Sequence, residues 1–276
     1  MLRLLFLFLA FGCCSLSGYS VVKDGVQLEE LVRSFEKDPA NPQVTIRLLK
    51  ELGKQGKSGK DILERYFYTQ KEADYFKDYN WVIVRDYVHD INSPQFKFLF
   101  ANHNKFMQYF SKDDVFQKVD NVLVQFLESL YKSNQEKYDT YMQEIKSRGY
   151  EHYDVVYDYF YIRQLRVEKN AEDYFYKARK LFRYFPENRE MIKEITAGAL
   201  EIMDDVARSK VIQLWAGKTV EQKNDFDALY NYVLLSEKCG FSDVARKYVT
   251  IADNLAVKSN SELLRKRMTE LRKQIR

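Results

Sequence analysis

Apolar residues recur every three or four positions along most of the chain, which is the spacing of one face of an α-helix. The most regular stripe lies between residues 115 and 131 and consists of Val115, Val119, Val122, Leu123, Phe126, Leu127 and Leu130. Short segments with Gly, Pro or Asn separate such stripes from residue 26 onward. The pattern therefore predicts an all-α fold of consecutive helices joined by short turns.

Residues that favour helix ends support this prediction. Asn41 precedes Pro42, and Ser93 precedes Pro94, which is the order of an N-cap residue followed by proline in the first turn. Gly240 lies between two amphipathic runs, and glycine reaches the left-handed conformation that ends many helices. We therefore expect helices to begin after Asn41 and Ser93 and one to end near Gly240.

The composition changes this picture little. The 276 residues include only 10 Gly and 4 Pro, which favours long helices over sheets, and the 21 Tyr and 19 Phe give an unusually aromatic chain. The 44 basic and 40 acidic residues nearly cancel. Interspersed charge of this kind is typical of a solvated helical surface and argues against nucleic acid as a partner.

The segment Phe226–Ala252 points to a repeat. Its two amphipathic runs meet at Gly240, and Ala245 and Ala252 lie seven residues apart on one face of the second run, where a neighbouring helix can approach closely. This Gly-x4-Ala-x6-Ala spacing resembles the tetratricopeptide repeat, a helix–turn–helix unit of about 34 residues. The resemblance implies a tetratricopeptide-like helical-repeat solenoid.

Helix pairs that begin near Tyr150, Glu187 and Asp225 recur at about the same period. The predicted organisation is a signal peptide over residues 1–20, an N-terminal helical region over 21–148, and repeats with a C-terminal capping helix over 149–276. Residues 262–276 place Leu264, Met268 and Leu271 on one side and many Lys and Arg elsewhere. A capping helix fits this pattern, and a basic helix that touches a membrane or an acidic partner is the alternative.

A second resemblance concerns most of the chain, from about Asn41 to about Ala256. Its motifs are similar to the helical region that follows the catalytic domain in Bacteroidetes-type thioredoxin-family proteins: Arg65-Tyr66-Phe67 with Thr69-Gln70, Asn80-Trp81 with Tyr87-Val88, and Phe96 to Phe106 leading into Val115 to Leu123. In that family a thioredoxin fold with Cys-x-x-Cys precedes the helices, and no position here matches it. The resemblance thus implies a helical fold and export, and the missing Cys-x-x-Cys argues against disulfide chemistry by the chain itself.

The first residues resemble an export signal. A basic start at Arg3 is followed by the apolar run Leu4–Phe11, which is too short to cross about 30 Å of hydrocarbon as a helix. A buried N-terminal helix is the alternative. Ser15-Leu-Ser17 and Gly18-Tyr-Ser20 both offer small residues for signal peptidase.

Ala10-Phe-Gly-Cys13 resembles a bacterial lipobox, although Phe11 is bulky for that motif. Lipidation of Cys13 is therefore the alternative to soluble secretion. The expected location is periplasmic or extracellular, or lipid-anchored at the membrane, and we expect contact with a membrane only if Cys13 is lipidated.

Catalytic chemistry is not indicated. Cys239 has no resolving partner and is expected to be a buried apolar residue. His89, His103 and His152 lack metal-ligand spacing, and no nucleophile is paired with a base. We therefore expect no catalytic residue, no metal and no cofactor.

Tyrosines at helical spacing offer a binding face. Val156, Phe160 and Ile162 are expected to form the core of the segment 150–165, with tyrosines toward its rim. The candidate partner-binding residues are Tyr153, Tyr157, Tyr161, Tyr230 and Tyr232. Three functions fit these observations: an exported, non-enzymatic repeat protein that binds a peptide or protein, an accessory component of an extracytoplasmic thioredoxin-like thiol–disulfide system, or an architectural envelope protein.

Overall fold

A computed structural model describes residues 28–275 except 187, 223–224 and 260, and it does not define the side chains of 219, 221 and 222. The described part of the chain is helical and contains no strand, which confirms the all-α class. The expected signal peptide over residues 1–20 and the candidate lipidation site Cys13 lie outside the described residues.

The described residues form two compact units, one up to Lys118 and one from Val119 onward, and the division falls within a long helix. The predicted division after residue 148, which rests on repeat spacing, stays a prediction. The helices of the first unit are α1 (28–37), α2 (Pro42–Lys54), α3 (Lys60–Tyr68), a 3₁₀ helix (Glu72–Phe76), α4 (Asp78–Tyr87), α5 (Pro94–Ala101), α6 (His103–Phe106) and the start of α7 (Lys112–Ser133). The second unit continues with α8 (Gln135–Ser147), α9 (Tyr153–Val167), α10 (Ala171–Tyr184), α11 (Arg189–Ile202), α12 (Val206–Gln222), α13 (Phe226–Lys238), α14 (Ser242–Lys258) and α15 (Glu262–Gln274).

The predicted helix starts are confirmed. The Asn41 side chain accepts hydrogen bonds from the backbone amides of Gln43 and Val44 at 3.1 and 3.2 Å. The Ser93 hydroxyl accepts one from the Phe96 amide at 3.1 Å. Each cap satisfies donors that a helix leaves unpaired at its first turn.

The core of the first unit is largely aromatic and contains a buried polar network. The Tyr66 hydroxyl donates to Asn80 Oδ1 at 2.5 Å, and Asn80 Nδ2 donates to the carbonyl of Asp74 at 2.8 Å and to Gln70 Oε1 at 3.1 Å. Trp81 stacks on Phe110 with ring centroids 5.0 Å apart. Tyr66, Gln70 and Asn80, which belong to the thioredoxin-family-like motifs, therefore share one hydrogen-bond network in this core.

The second unit is built from antiparallel helix pairs that pack in two rows. The pairs are α9 with α10, α11 with α12, and α13 with α14. The first helices pack side by side, with α11 between α9 and α13, while α12 packs against α10 in the other row. Helix α15 covers α14 and also contacts α13.

The packing positions recur along the sequence. The first helices α9, α11, α13 and the final α15 begin 36, 37 and 36 residues apart, at Tyr153, Arg189, Phe226 and Glu262. A shift of 37 residues superimposes all six buried positions of α11 on those of α13: Met191, Ile192, Ile195, Thr196, Gly198 and Ala199 become Ala228, Leu229, Tyr232, Val233, Leu235 and Ser236. The same faces of successive helices are therefore buried.

The second helices show a similar recurrence. Tyr174, Ala178, Leu181 and Phe182 are buried in α10, and residues 35 positions later, Ser209, Gln213, Ala216 and Gly217, are buried in α12. Gly198 of α11 and Gly217 of α12 admit bulky neighbours. A Cβ atom on Gly198 would overlap the ring of Tyr174, and one on Gly217 would lie 2.9 Å from the hydroxyl of Tyr232. Both glycines thus allow a tyrosine to pack directly on a helix backbone.

Candidate partner-binding surface

Three of the candidate tyrosines form a stack on α9. The ring centroids of Tyr153 and Tyr157 lie 6.1 Å apart and those of Tyr157 and Tyr161 lie 5.3 Å apart, with interplanar angles of 28° and 24°. Residues four apart share one side of a helix, so the sequence spacing produces this stack directly. Tyr157 is 41% exposed, and its two neighbours are half-buried.

The opposite side of α9 is core, as expected. Val156 and Ile162 are fully buried and Phe160 nearly so. The Phe160 ring contacts Tyr138 of α8 and Tyr131 of α7 at centroid distances of 5.0 and 5.3 Å. Since these residues hold α9 from behind, the tyrosine stack stands on a helix whose orientation is fixed by the core.

Tyr230 lies on α13 at the position equivalent to Tyr157, since shifts of 36 and 37 residues lead from Tyr157 to Lys193 of α11 and then to Tyr230. The guanidinium of Arg267 from α15 lies 4.4 Å from the centroid of the Tyr230 ring and 5.1 Å from that of Phe226. The cation is held by Asp227 at 2.5 Å. This arrangement is a cation–π cluster with an anionic partner.

Tyr232 does not lie on this surface. Its side chain is 6% exposed, its hydroxyl accepts a hydrogen bond from Gln213 Nε2 at 3.0 Å, and its ring meets Tyr248 edge-on at 5.0 Å. Residues two apart on a helix point in widely different directions. Tyr232 is therefore a core residue between α12, α13 and α14, and it is removed from the set of contact candidates.

The remaining candidates define what we call the first-helix face: Tyr153, Tyr157, Tyr161, Lys193, Phe226 and Tyr230. Lys193 lies at its centre, with its ammonium group 2.6 Å from Glu190 Oε1 and 3.7 Å from Asp225 Oδ2. Among the described side chains of α9, α11 and α13, every exposed charged residue is acidic: Asp154, Glu190, Glu201 and Asp227. The face is thus aromatic at its ends, with an acidic margin.

Sequence reasoning missed a buried polar cluster beside this face. Asp120 of α7 is fully buried; its carboxylate accepts a hydrogen bond from the Tyr150 hydroxyl at 2.8 Å and lies 2.9 Å from His152 Nδ1. Burial raises the pKa of the Asp120 carboxyl, and the hydrogen bonds from His152 and Tyr150 oppose that rise. Because His152 directly precedes α9, the cluster fixes where the tyrosine helix begins.

Two further ion pairs tie α9 to its neighbours. Asp158, nearly buried, contacts the ammonium groups of Lys177 and Lys180 from α10 at 2.7 and 2.8 Å. Arg163 lies 3.0 Å from Glu128 of α7. No local motif reveals these pairs, since the partners are separated by about 20 to 35 residues in the sequence.

The other chemically reactive residues have structural contacts. Cys239 is buried, and burial raises the pKa of its thiol. His89 Nε2 lies 3.0 Å from the carbonyl of Asp86, which places it at the end of α4, and His103 Nδ1 lies 2.8 Å from the carbonyl of Phe100. Within the described residues, no group of three or more His, Cys, Asp or Glu side chains is placed to hold a metal ion.

Within the same residues, no helix combines the length and the apolar character needed to cross a membrane. Comparison of the chain with protein families, curated proteins and solved structures finds no match.

Proposed function

We propose that this protein is an exported, non-enzymatic member of the tetratricopeptide-like helical-repeat class, and that it binds a peptide or protein partner on the first-helix face. The recurrence of buried positions at shifts of 36 and 37 residues supports the repeat solenoid, since each unit of a solenoid buries the same face against its neighbours. Helix α15 would then be the terminal cap.

The observation that carries the binding proposal is the tyrosine stack on α9. Tyr157 leaves 41% of its surface exposed in the middle of the stack, although Phe160 three residues later is buried. Tyrosine provides a large amphipathic contact area with few rotatable bonds, so it is enriched among the residues that dominate binding energy. A rigid row of three such rings on a fixed helix is suited to a partner segment that lies along it.

The test places a photo-cross-linking amino acid at position 157 in the native host. We expect a covalent adduct with a defined protein or peptide. The matched control carries the same amino acid at position 109, an exposed tyrosine of the first unit.

The adduct then supplies the partner for a binding assay. Replacing Tyr157 and Tyr161 by Ala should weaken binding at least tenfold, because each truncation of a tyrosine that dominates binding costs about 1 to 2 kcal/mol. The variant should remain helical by circular dichroism. Equal adduct yields at positions 157 and 109, or unchanged affinity of the double variant, would contradict the proposal.

An accessory role in a thioredoxin-like system is the second candidate. It is favoured by the first unit, where Tyr66, Gln70 and Asn80 of the family-like motifs share one buried network. In this case the protein cross-linked at position 157 should carry a Cys-x-x-Cys motif. A partner without a thioredoxin-like fold would exclude it.

The proposal that the protein is exported, either as a secreted protein or as a lipoprotein, rests on the sequence of residues 1–20 alone. Processing that is blocked by globomycin, with partitioning into the membrane fraction, would indicate lipidation at Cys13. Processing that is insensitive to globomycin would indicate a secreted protein.

A further inference from the structure

The exposed charges of the second unit are sorted between its two rows of helices. Among the side chains that the structure defines in α10, α12 and α14, the exposed acidic residues are confined to the first three residues of a helix: Glu172, Asp173 and Asp243. Beyond that first turn, every exposed charged side chain that the structure defines in these three helices is Lys or Arg. The acidic residues in the first turn complement the helix dipole. Beyond the first turns, the exposed surface of these three helices is therefore basic.

Exposed apolar side chains lie among these cations. Leu214 of α12 is 64% exposed and Tyr176 of α10 is 54% exposed. Trp215, half-buried beside Leu214, contacts Phe182 with ring centroids 4.7 Å apart. The ammonium group of Lys210 lies 5.4 Å from the ring centroid of Phe241, which connects α12 with the turn before α14.

We call this surface the second-helix face and define it by Tyr176, Arg179, Lys210, Leu214 and Lys218. Arg179, Lys210 and Lys218 have no acidic group within ion-pair distance among the described residues. These cations are therefore available to an external anion.

We propose that the second-helix face docks on the surface of an anionic lipid bilayer. Lys and Arg beside an anionic membrane each contribute favourable electrostatic energy, while aromatic and aliphatic side chains enter the boundary between headgroups and acyl chains. The face combines both features, with Leu214 and Tyr176 projecting between the cations. This contact needs no membrane-spanning helix and no lipid anchor.

A second copy of the chain is a less suitable occupant, although the first-helix face has an acidic margin. Three of its four exposed acids are already engaged within the same chain: Glu190 with Lys193 at 2.6 Å, Glu201 with Arg166 at 2.6 Å, and Asp227 with Arg267 at 2.5 Å. A self-complementary contact would have to break these pairs. Lipid phosphates impose no such cost.

The experiment measures co-sedimentation of the full chain with vesicles of phosphatidylglycerol and phosphatidylcholine in equal amounts, and with vesicles of phosphatidylcholine alone. We expect binding to the anionic vesicles only, weakened by salt. Replacing Arg179, Lys210 and Lys218 by Gln should lower the partition coefficient about 100-fold, since each charge at the membrane surface contributes about fivefold.

The matched control replaces Lys50, Lys57 and Lys97 by Gln, three exposed lysines of the first unit that also form no ion pair among the described residues. This variant removes the same net charge and should bind within about twofold of the unmodified chain, as expected for charges outside the contact. Both variants should retain helical circular dichroism.

Fluorescence tests the orientation independently. The chain contains two tryptophans, and Trp81→Phe leaves Trp215 as the only one. Its emission should shift to shorter wavelength on addition of anionic vesicles, and Leu214→Ser should weaken that binding several-fold. Equal binding to both kinds of vesicle, equal losses in the two triple variants, an unshifted Trp215 emission, or self-association in place of vesicle binding would overturn the proposal.

Discussion

Lys169 and Gly240 adopt the same left-handed backbone conformation, with φ of +57° and +79°, at the ends of α9 and α13. Each lies two residues before the next helix. In both turns the backbone amide of the next residue donates a hydrogen bond to the carbonyl five residues before it. Asn170 donates to Leu165 at 3.0 Å, and Phe241 donates to Ser236 at 2.8 Å. The two turns are therefore closed by the same Schellman-type hydrogen bond, once with glycine and once with a residue that is strained there.

Because the two turns are equivalent, introducing glycine at position 169 and removing it at position 240 should have opposite effects on the free energy of unfolding. Lys169→Gly should raise the free energy of unfolding by about 1 kcal/mol, because it removes the steric penalty of a Cβ atom at positive φ. Gly240→Ala should lower it by a similar amount. Chemical denaturation measures both, and a destabilised Lys169→Gly variant would show that the turn is not left-handed.

Gly198 allows the Tyr174 ring to pack on α11, and the Tyr174 hydroxyl donates to the Glu194 carbonyl at 2.9 Å. Gly198→Ala should therefore destabilise the protein by about 1 to 3 kcal/mol through overpacking, although alanine favours helix formation.

Gly53 of α2 is the control for this substitution, since a Cβ atom there meets nothing within 4 Å. Gly53→Ala should stabilise by up to about 1 kcal/mol. If Gly198→Ala stabilised as much as Gly53→Ala in thermal unfolding, the close packing of Tyr174 on α11 would be refuted.

Tyr157 and Tyr232 should respond differently to truncation. Tyr232→Ala should cost about 3 to 5 kcal/mol, because it empties a buried site and removes one of the two hydrogen-bond acceptors of Gln213. Tyr157→Ala should change the free energy of unfolding by less than about 0.5 kcal/mol, since the residue is surface-exposed. Similar costs at the two positions would place Tyr157 in the core and remove it from the first-helix face.

Lys118 should make stability depend on pH. It is 6% exposed, and burial lowers the pKa of its ammonium group from 10.5 to about 8, an effect that Asp86 partly opposes. Between pH 8 and pH 10.5 the Lys118 side chain is protonated in the unfolded chain and neutral in the folded one, so the unfolded chain binds one proton more. The stability linked to this difference is fully present above the pKa of the unfolded chain and is lost as the pH falls through the pKa of the folded chain.

The free energy of unfolding should therefore rise by about 1 kcal/mol per pH unit from about pH 8 to 9.5. His89, whose pKa is lowered chiefly by burial, titrates below this range, and the Cys239 thiol, whose pKa is raised by burial, contributes a pH dependence of the opposite sign. Lys118→Met should remove the rise in urea titrations at each pH. A rise that persists in this variant would assign the effect to another group.

Local patterns were sufficient to predict most helices and the caps at Asn41 and Ser93, and the spacing of Tyr153, Tyr157 and Tyr161 accounts for their stack. Asn41 and Ser93 cap helices because a short polar side chain directly precedes proline, and Tyr153, Tyr157 and Tyr161 align because they are four residues apart. The same periodicity could have excluded Tyr232 as a companion of Tyr230. Helical geometry directs these two residues to different sides.

Relationships across long sequence separations could not be predicted. Asp120 meets Tyr150 and His152 only through the packing of α7 against the turn before α9. The near balance of Lys and Arg with Asp and Glu also conceals how the charges are distributed. Exposed acids and exposed bases separate only when the two rows of helices are formed.

The central claim is that successive helix pairs stack in two rows with tyrosines packed on helix backbones between pairs. The chain contains only ten glycines, so a sample labelled with ¹³C at glycine alone gives few signals in a nuclear Overhauser experiment. Strong cross-peaks are predicted between Gly198 Hα and the Tyr174 ring and between Gly217 Hα and the Tyr232 ring. If the assigned glycines showed neither cross-peak, the stacking of the helix pairs would be contradicted.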